Sequence, residues 1–215
     1  MKPLITVIVP FYNAEDTLLR ALNSIPLSDD IQIILLDDGS TDNSWNIALK
    51  WWRDQNLGCG STIHRWDKNK GVAATMNLGF SLAKGKWIVS LSSDDWYVTD
   101  FEQFRPYLID ENDLVFFDLE VNDGSVWHMD EQSIKEYVGA VKFIRREFLG
   151  DTRIPTDRAY KEDTPFSHAL YKKNPRCAYT GIVLKRYNWP REGSLSWQAT
   201  QDYENDREKW SRYGR

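Results

Sequence analysis

Ile31-Gln32-Ile33-Ile34-Leu35-Leu36-Asp37-Asp38-Gly39-Ser40-Thr41-Asp42 is an apolar run that breaks into acidic turn residues. The run Ile31–Leu36 has strand length and is apolar nearly throughout, as buried parallel strands are. Asp37 to Asp42 supply turn and helix-cap chemistry. Trp45, Ala48, Leu49 and Trp52 then recur at helical spacing. The same succession appears upstream. Leu4–Val9 reads as a strand stopped by Pro10, Asn13 as an N-cap, and Leu18, Ala21, Leu22 and Ile25 as a helix face ended by Pro26. Downstream, Thr62–Arg65 is a short strand. Gly71 opens a helix with Val72, Met76, Gly79 and Ala83 on one face, and Gly85 fits the position just past its end. Trp87–Leu91 is a further strand, running into Ser92-Ser93-Asp94-Asp95. Strands alternating with helices predict an α/β domain with a mostly parallel sheet and helices on both faces.

The rest of the chain is less regular. Thr99 with Glu102 reads as a capping box. Leu114–Val121 and Ser125–Met129 read as strands joined by Asn122-Asp123-Gly124, a hairpin that makes the sheet mixed. Helices are expected near Ser133–Ala140 and Thr164–Lys172, the latter with Pro165 at N1, and a strand near Ala178–Tyr187. Nothing marks a linker or an internal repeat, and the charged stretch from Gln201 onward reads as a surface tail.

Composition narrows the partners. Lys and Arg number 27 against 32 Asp and Glu, a net charge of −5. That is not the footprint of a nucleic-acid binder. Cys59 and Cys177 lack disulfide or metal-ligand spacing and fit a reducing compartment. No apolar run approaches the roughly 18 residues of a membrane span, and Met1-Lys2-Pro3-Leu4 begins no signal peptide. The expected location is the cytoplasm, including the inner face of a membrane with peripheral contact.

Ligands of open α/β sheets bind at the carboxyl ends of the strands. There this sequence places Pro10-Phe11-Tyr12-Asn13, Asp37-Asp38-Gly39-Ser40 and Ser92-Ser93-Asp94-Asp95. Neighbouring carboxylates repel unless something compensates, and a divalent cation shared with a substrate diphosphate is the usual compensator. Each acidic pair also reads, taken alone, as a turn before a helix. No G-x-G-x-x-G follows the first strand and no P-loop occurs anywhere, which argues against dinucleotide and P-loop chemistry.

Five blocks in order resemble the inverting family 2 glycosyltransferases of GT-A fold. They are Val7–Asn13, Leu36–Asp42, Asn69-Lys70-Gly71-Val72 with Asn77, Gly85–Trp96, and a later set. That later set comprises Phe143–Arg146, Arg153-Ile154-Pro155, Glu162-Asp163-Thr164-Pro165-Phe166 and Tyr187–Ser196. The resemblance implies one Rossmann-like GT-A domain over residues 1–215. Its nucleotide-sugar half is 1–100, its acceptor and catalytic-base half 101–196, and its charged tail 197–215. It implies that Pro10 and Tyr12 pack the nucleotide base, with Asn13, Gly39, Asn69, Asn77 and Ser93 among the donor-binding residues. Asp38 would accept the imide N–H of a uracil, Asp94 would hold ribose or sugar, and Asp95, with Asp94, would hold Mn²⁺ or Mg²⁺. Asp163, beside Glu162, would be the general base. Many relatives carry Asp where this chain has Ser92, which puts the strength of metal binding in question. His128 and His168 are further candidates for metal or phosphate contact, and Trp96, Trp127 and Trp189 for stacking on sugars.

The implied reaction moves a sugar from a nucleoside diphosphate, UDP before GDP or TDP, onto a hydroxyl of a glycan or glycoconjugate with inversion. The alternative from another class is a non-catalytic nucleotide-sugar or glycan-binding module on the same fold.

Overall fold

Apolar β-branched runs seed the sheet. The computed structural model describes residues 2–58, 60–131, 140–157 and 163–189. Among them the strands are β1 Ile5–Phe11, β2 Ile31–Asp37, β3 Thr62–Arg65, β4 Trp87–Ser90, β5 Trp96–Tyr97, β6 Leu114–Val121, β7 Val126–Trp127, β8 Lys142–Arg145 and β9 Cys177–Tyr187. The helices are α1 Leu18–Asn23, α2 Ser44–Asp54, α3 Val72–Leu82, α4 Arg146–Leu149 and α5 Asp163–Tyr171, with a 3₁₀ helix at Phe101–Tyr107. All strands join one sheet in the order β3-β2-β1-β4-β8-β6-β9-β5, with β7 paired to β6. From the pairings, β1, β2, β3, β4, β6 and β9 run one way and β5, β7 and β8 the other.

The order steps outward from β1 to β3, then returns to β4 on the far side of β1. Right-handed crossovers therefore put α1 and α2 on one face and α3 on the other. The order reverses between β1 and β4, and ligands of such sheets bind at the carboxyl edge beside such a switch. Every residue of β2 is buried, as its unbroken apolar run requires. Gly79 of α3 lies so close to β1 that an added Cβ would meet Ile8 Cγ2 at 2.6 Å. A second cluster of rings, Phe104, Phe117 and Phe143, packs where β8 and β6 meet the 3₁₀ helix.

Several local expectations are corrected. Pro10 does not stop β1, which continues to Phe11 in register with β2. The β1–β4 ladder ends at Ile8↔Ser90, and Pro10 lies on that same side, beyond the last pair, where no donor is needed. Asn13 caps nothing, because α1 begins at Leu18 behind Thr17. The side-chain cap at the 3₁₀ helix is Asp100, accepting from Glu102 N at 2.9 Å, not Thr99. Gly85 does not close α3 with a left-handed turn. It is a close approach, since a Cβ there would sit 2.6 Å from Thr6 N, and its N–H donates to Thr6 Oγ1 at 2.9 Å. The strands β5 and β8 match no expectation drawn from the sequence. The helix expected at Ser133–Ala140 lies outside the described residues, apart from Ala140.

Candidate active site

The loops after β1 and β2 are laced together by short polar side chains. Asn13, at φ +46°, donates its N–H to Ser40 Oγ at 3.0 Å and accepts from Thr41 N at 2.8 Å. Ala14 N donates to Ser44 Oγ at 2.7 Å, and Glu15 N to Asp42 Oδ2 at 3.1 Å. Asn13, expected to contact the donor, therefore has its backbone and amide oxygen committed to holding this edge in shape.

The two acids after β2 divide their work. Asp37 is fully buried; it accepts from Ser40 N at 2.9 Å and lies 3.1 Å from Arg65 Nε. Arg65 also donates to Ser40 O at 2.7 Å. Asp38 is 4% exposed, and its Oδ1 accepts from Lys70 N at 2.8 Å. Gly39 makes this docking possible. Its φ is +76°, and a Cβ would stand 2.5 Å from Lys68 C and 2.7 Å from Asn69 N. Tyr12 is 46% exposed at the rim of the same edge. Asn69 binds Gly71 N at 3.1 Å within its own loop. Asn77 is employed elsewhere: its amide donates to Ile154 O at 2.8 Å and accepts from Ile154 N at 2.9 Å, tying α3 to the segment before α5.

The pair after β4 divides in the same way. Asp94 is half-buried, and its carbonyl takes Arg20 Nη2 at 3.1 Å while the Arg20 guanidinium lies 3.7 Å over the Trp96 ring. Asp95 is 1% exposed, accepts from Asn188 N at 3.0 Å and lies 3.3 Å from Lys185 Nζ. Burial outweighs Lys185 and holds the Asp95 carboxyl above its ordinary range. Within the protein, Arg65 lies against the first pair and Lys185 against the second. As placed, each oxygen of Asp95 has one partner in the protein and a further lone pair, and Asp94 is the carboxylate nearer the surface. No cluster of three or more metal-ligating side chains occurs among the described residues, so an ion here would draw most of its ligands from a diphosphate.

The second half of the chain carries the remaining candidate residues. Asp163 heads α5, and its charge acts on Lys142, which opens β8 on the side of the carboxyl end of β4 and pairs with Phe116 of β6. Glu162 lies outside the described residues. His128 Nδ1 lies 2.6 Å from Oδ2 of the buried Asp118, and His168 is exposed on α5. Trp127 packs 5.9 Å from both Tyr187 and Trp189. Arg65, Lys142 and Lys185 are the site residues that sequence reading missed. The available signal was a lysine inside an apolar run, as in Val141-Lys142-Phe143-Ile144 and Val183-Leu184-Lys185.

The model of the family described as Glycosyl transferase family 2 matches residues 6–173. The chain belongs to that family. Over 201 residues this family 2 chain is 30% identical to the PGL/p-HBAD biosynthesis glycosyltransferase of Mycobacterium tuberculosis, covering 86% of this chain and 77% of that one. It spans only 33% and 18% of the lengths of two other curated relatives. Among solved structures, Staphylococcus aureus TarS 1-349 in complex with UDP-GlcNAc superposes with a TM-score of 0.75 at 22% identity, over 89% of this chain and 60% of TarS 1-349. The mannosyltransferase PcManGT of Pyrobaculum calidifontis, in complex with GDP-Man and Mn²⁺, gives 0.69 at 17% identity, over 94% of this chain and 61% of that one. These likenesses establish the GT-A fold for this family 2 member. None of its described helices is long and apolar enough to cross a membrane.

Proposed function

We propose that the chain transfers a sugar from a UDP-sugar to a hydroxyl of a glycan or glycoconjugate, with inversion at the anomeric carbon. The observation that supports this reading is the Asp38 loop beside Tyr12 at the carboxyl end of β2, docked through Lys70 N, with Asp163 at the head of α5 as the candidate base. The first suits a nucleotide base and the second an acceptor hydroxyl. Family membership supports the reaction class. The UDP-GlcNAc bound to TarS supports the donor class.

In this reading Asp163 takes the proton of the acceptor hydroxyl as its oxygen bonds to the anomeric carbon. The bond from that carbon to the diphosphate oxygen breaks on the opposite face, and the diphosphate leaves with the electron pair. Single displacement inverts the centre and needs no enzyme nucleophile. Asp95, with Asp94, would hold Mn²⁺ or Mg²⁺ together with diphosphate oxygens; such an ion, when bound, supplies positive charge to the leaving group.

Nucleotide titration monitored by heat and by thermal shift tests the reading. UDP and a UDP-sugar should bind more tightly than GDP, and Mn²⁺ should strengthen both. Slow release of UDP from the donor in the absence of acceptor should then be measurable. Failure of every nucleotide to bind would overturn the proposal. Binding without any turnover would favour a nucleotide-sugar-binding module, a reading that the serine at position 92 also favours.

A further inference from the structure

Lys142 is a buried cation outside the residues named above for the donor. It opens β8, is 5% exposed, and lies with Nζ 5.9 Å from the centre of the Phe116 ring. Its Nζ donates to Ser167 Oγ at 3.2 Å. Ser167 follows Asp163 by one turn of α5, so the two side chains share a helix face. Lys142 meets the negative charge of Asp163 from that helix, and Cys177 and Lys185 from β9. Burying an ammonium is costly unless an anion answers it. Lys185 is answered by Asp95; the carboxylate of α5 that acts on Lys142 is Asp163.

We propose that Lys142 is the positioning residue of the catalytic base, its ammonium holding the Asp163 carboxylate ionised and turned toward the acceptor. This rests on the reading of Asp163 as the base. An opposite charge within about 4–6 Å lowers a carboxylate by about 1–3 pH units. An ammonium there opposes the push that drying on substrate binding and Glu162, next in sequence, would exert. Burial pulls Lys142 itself down to about 8. The pair therefore holds its two charges between the titration of Asp163 and about pH 8, and above that the base loses its counter-ion.

The test uses the full chain with UDP-glucose, UDP-GlcNAc and GDP-mannose as donors and water as acceptor, from pH 5 to 9. Lys142→Met should leave UDP affinity unchanged, lower kcat at pH 6 about tenfold or more, and move the acid limb of the kcat profile up by about one unit. Lys142→Arg should keep the acid limb in place and carry the alkaline limb upward. A Lys142→Met protein with the parent's kcat and acid limb overturns the proposal. Asp163→Asn separates this from the underlying reading: if it retains turnover, both fall, and if it is inactive while Lys142→Met behaves as the parent, only the Lys142 assignment falls. Carbon-detected titration of the Asp163 carboxyl in the unsubstituted chain, assigned by its loss in Asp163→Asn, does not depend on the lysine variants folding. A midpoint at or below the ordinary carboxylate range supports the proposal, and one well above it overturns it.

Discussion

Asp38 carries a backbone hydrogen bond that one substitution preserves. In Asp38→Asn the side-chain oxygen still accepts from Lys70 N, so the loop stays docked, but a second donor now faces the imide of a bound base. UDP affinity should fall by about 1–3 kcal/mol, the cost of an unpaired buried group, with little change in Tm. Unchanged affinity in a titration would remove Asp38 from the base contact. Asp163→Asn should separate differently, lowering kcat by about 10²–10⁴-fold with UDP affinity retained; near-parental turnover would pass the base role to Glu162. Acids at strand ends stood out because neighbouring carboxylates repel unless something compensates, although each pair also reads as a turn before a helix. Asn77 was not legible as a structural residue, and Asn13, read as an N-cap, ties two loops together instead. An amide serves a ligand and a neighbouring backbone equally well, and the partners of Asn77 at Ile154 lie 77 positions away. The engagement of Asp95 was hidden for the same reason, because Lys185 and Asn188 come from the far end of the chain.

At the scale of elements, two glycines distinguish site from scaffold. Gly39→Ala puts a Cβ into the Lys68–Asn69 backbone at a left-handed φ of +76°, so the loop that carries Asp38 must lift from its neighbour. Nucleotide affinity should fall at least tenfold, beyond what the loss in Tm accounts for. Gly79→Ala instead drives a Cβ onto Ile8 in the core. It should cost about 1–3 kcal/mol by overpacking, with UDP binding intact in the folded fraction. Paired melts and titrations of both variants check this; equal effects on affinity would contradict the division. The alternating first half was legible element by element because each apolar run is long and clearly bounded. The strand β8 escaped because its four residues begin with a lysine and end with an arginine, so neither alternation nor a continuous apolar run marks it. The two-residue β5 is too short to leave any pattern.

For the whole molecule, Asp113 is the latch at the edge opposite the site. It is 6% exposed and accepts from Arg176 N at 2.9 Å and Nε at 3.0 Å, and from Arg145 as well, joining the starts of β6 and β9 to the end of β8. Hydrogen bonds from Arg176 first, then Arg145, hold its carboxyl well below the usual range. A depressed acid stabilises fully above its unfolded value near 3.9 and loses that contribution as pH falls through the folded one. Tm should thus drop below about pH 4. Asp113→Asn should cost about 2 kcal/mol at pH 7 and flatten the acid fall, and an undiminished acid fall in thermal melts would assign it to other groups. The insertion of β8 between β4 and β6 was beyond sequence reading, since no local signal encodes which strands far apart in the chain will pair. The buried Asp95 with its distant partners bears on how such enzymes recombine. Exchange of segments between relatives is one way to mix specificities. A chimera crossed over near residue 100 inherits Asp95 from one parent and Lys185 from the other, and a parent lacking the lysine leaves a carboxylate sealed in the seam. Compatibility at that one pair, before any matching of sugar preferences, decides which grafts fold.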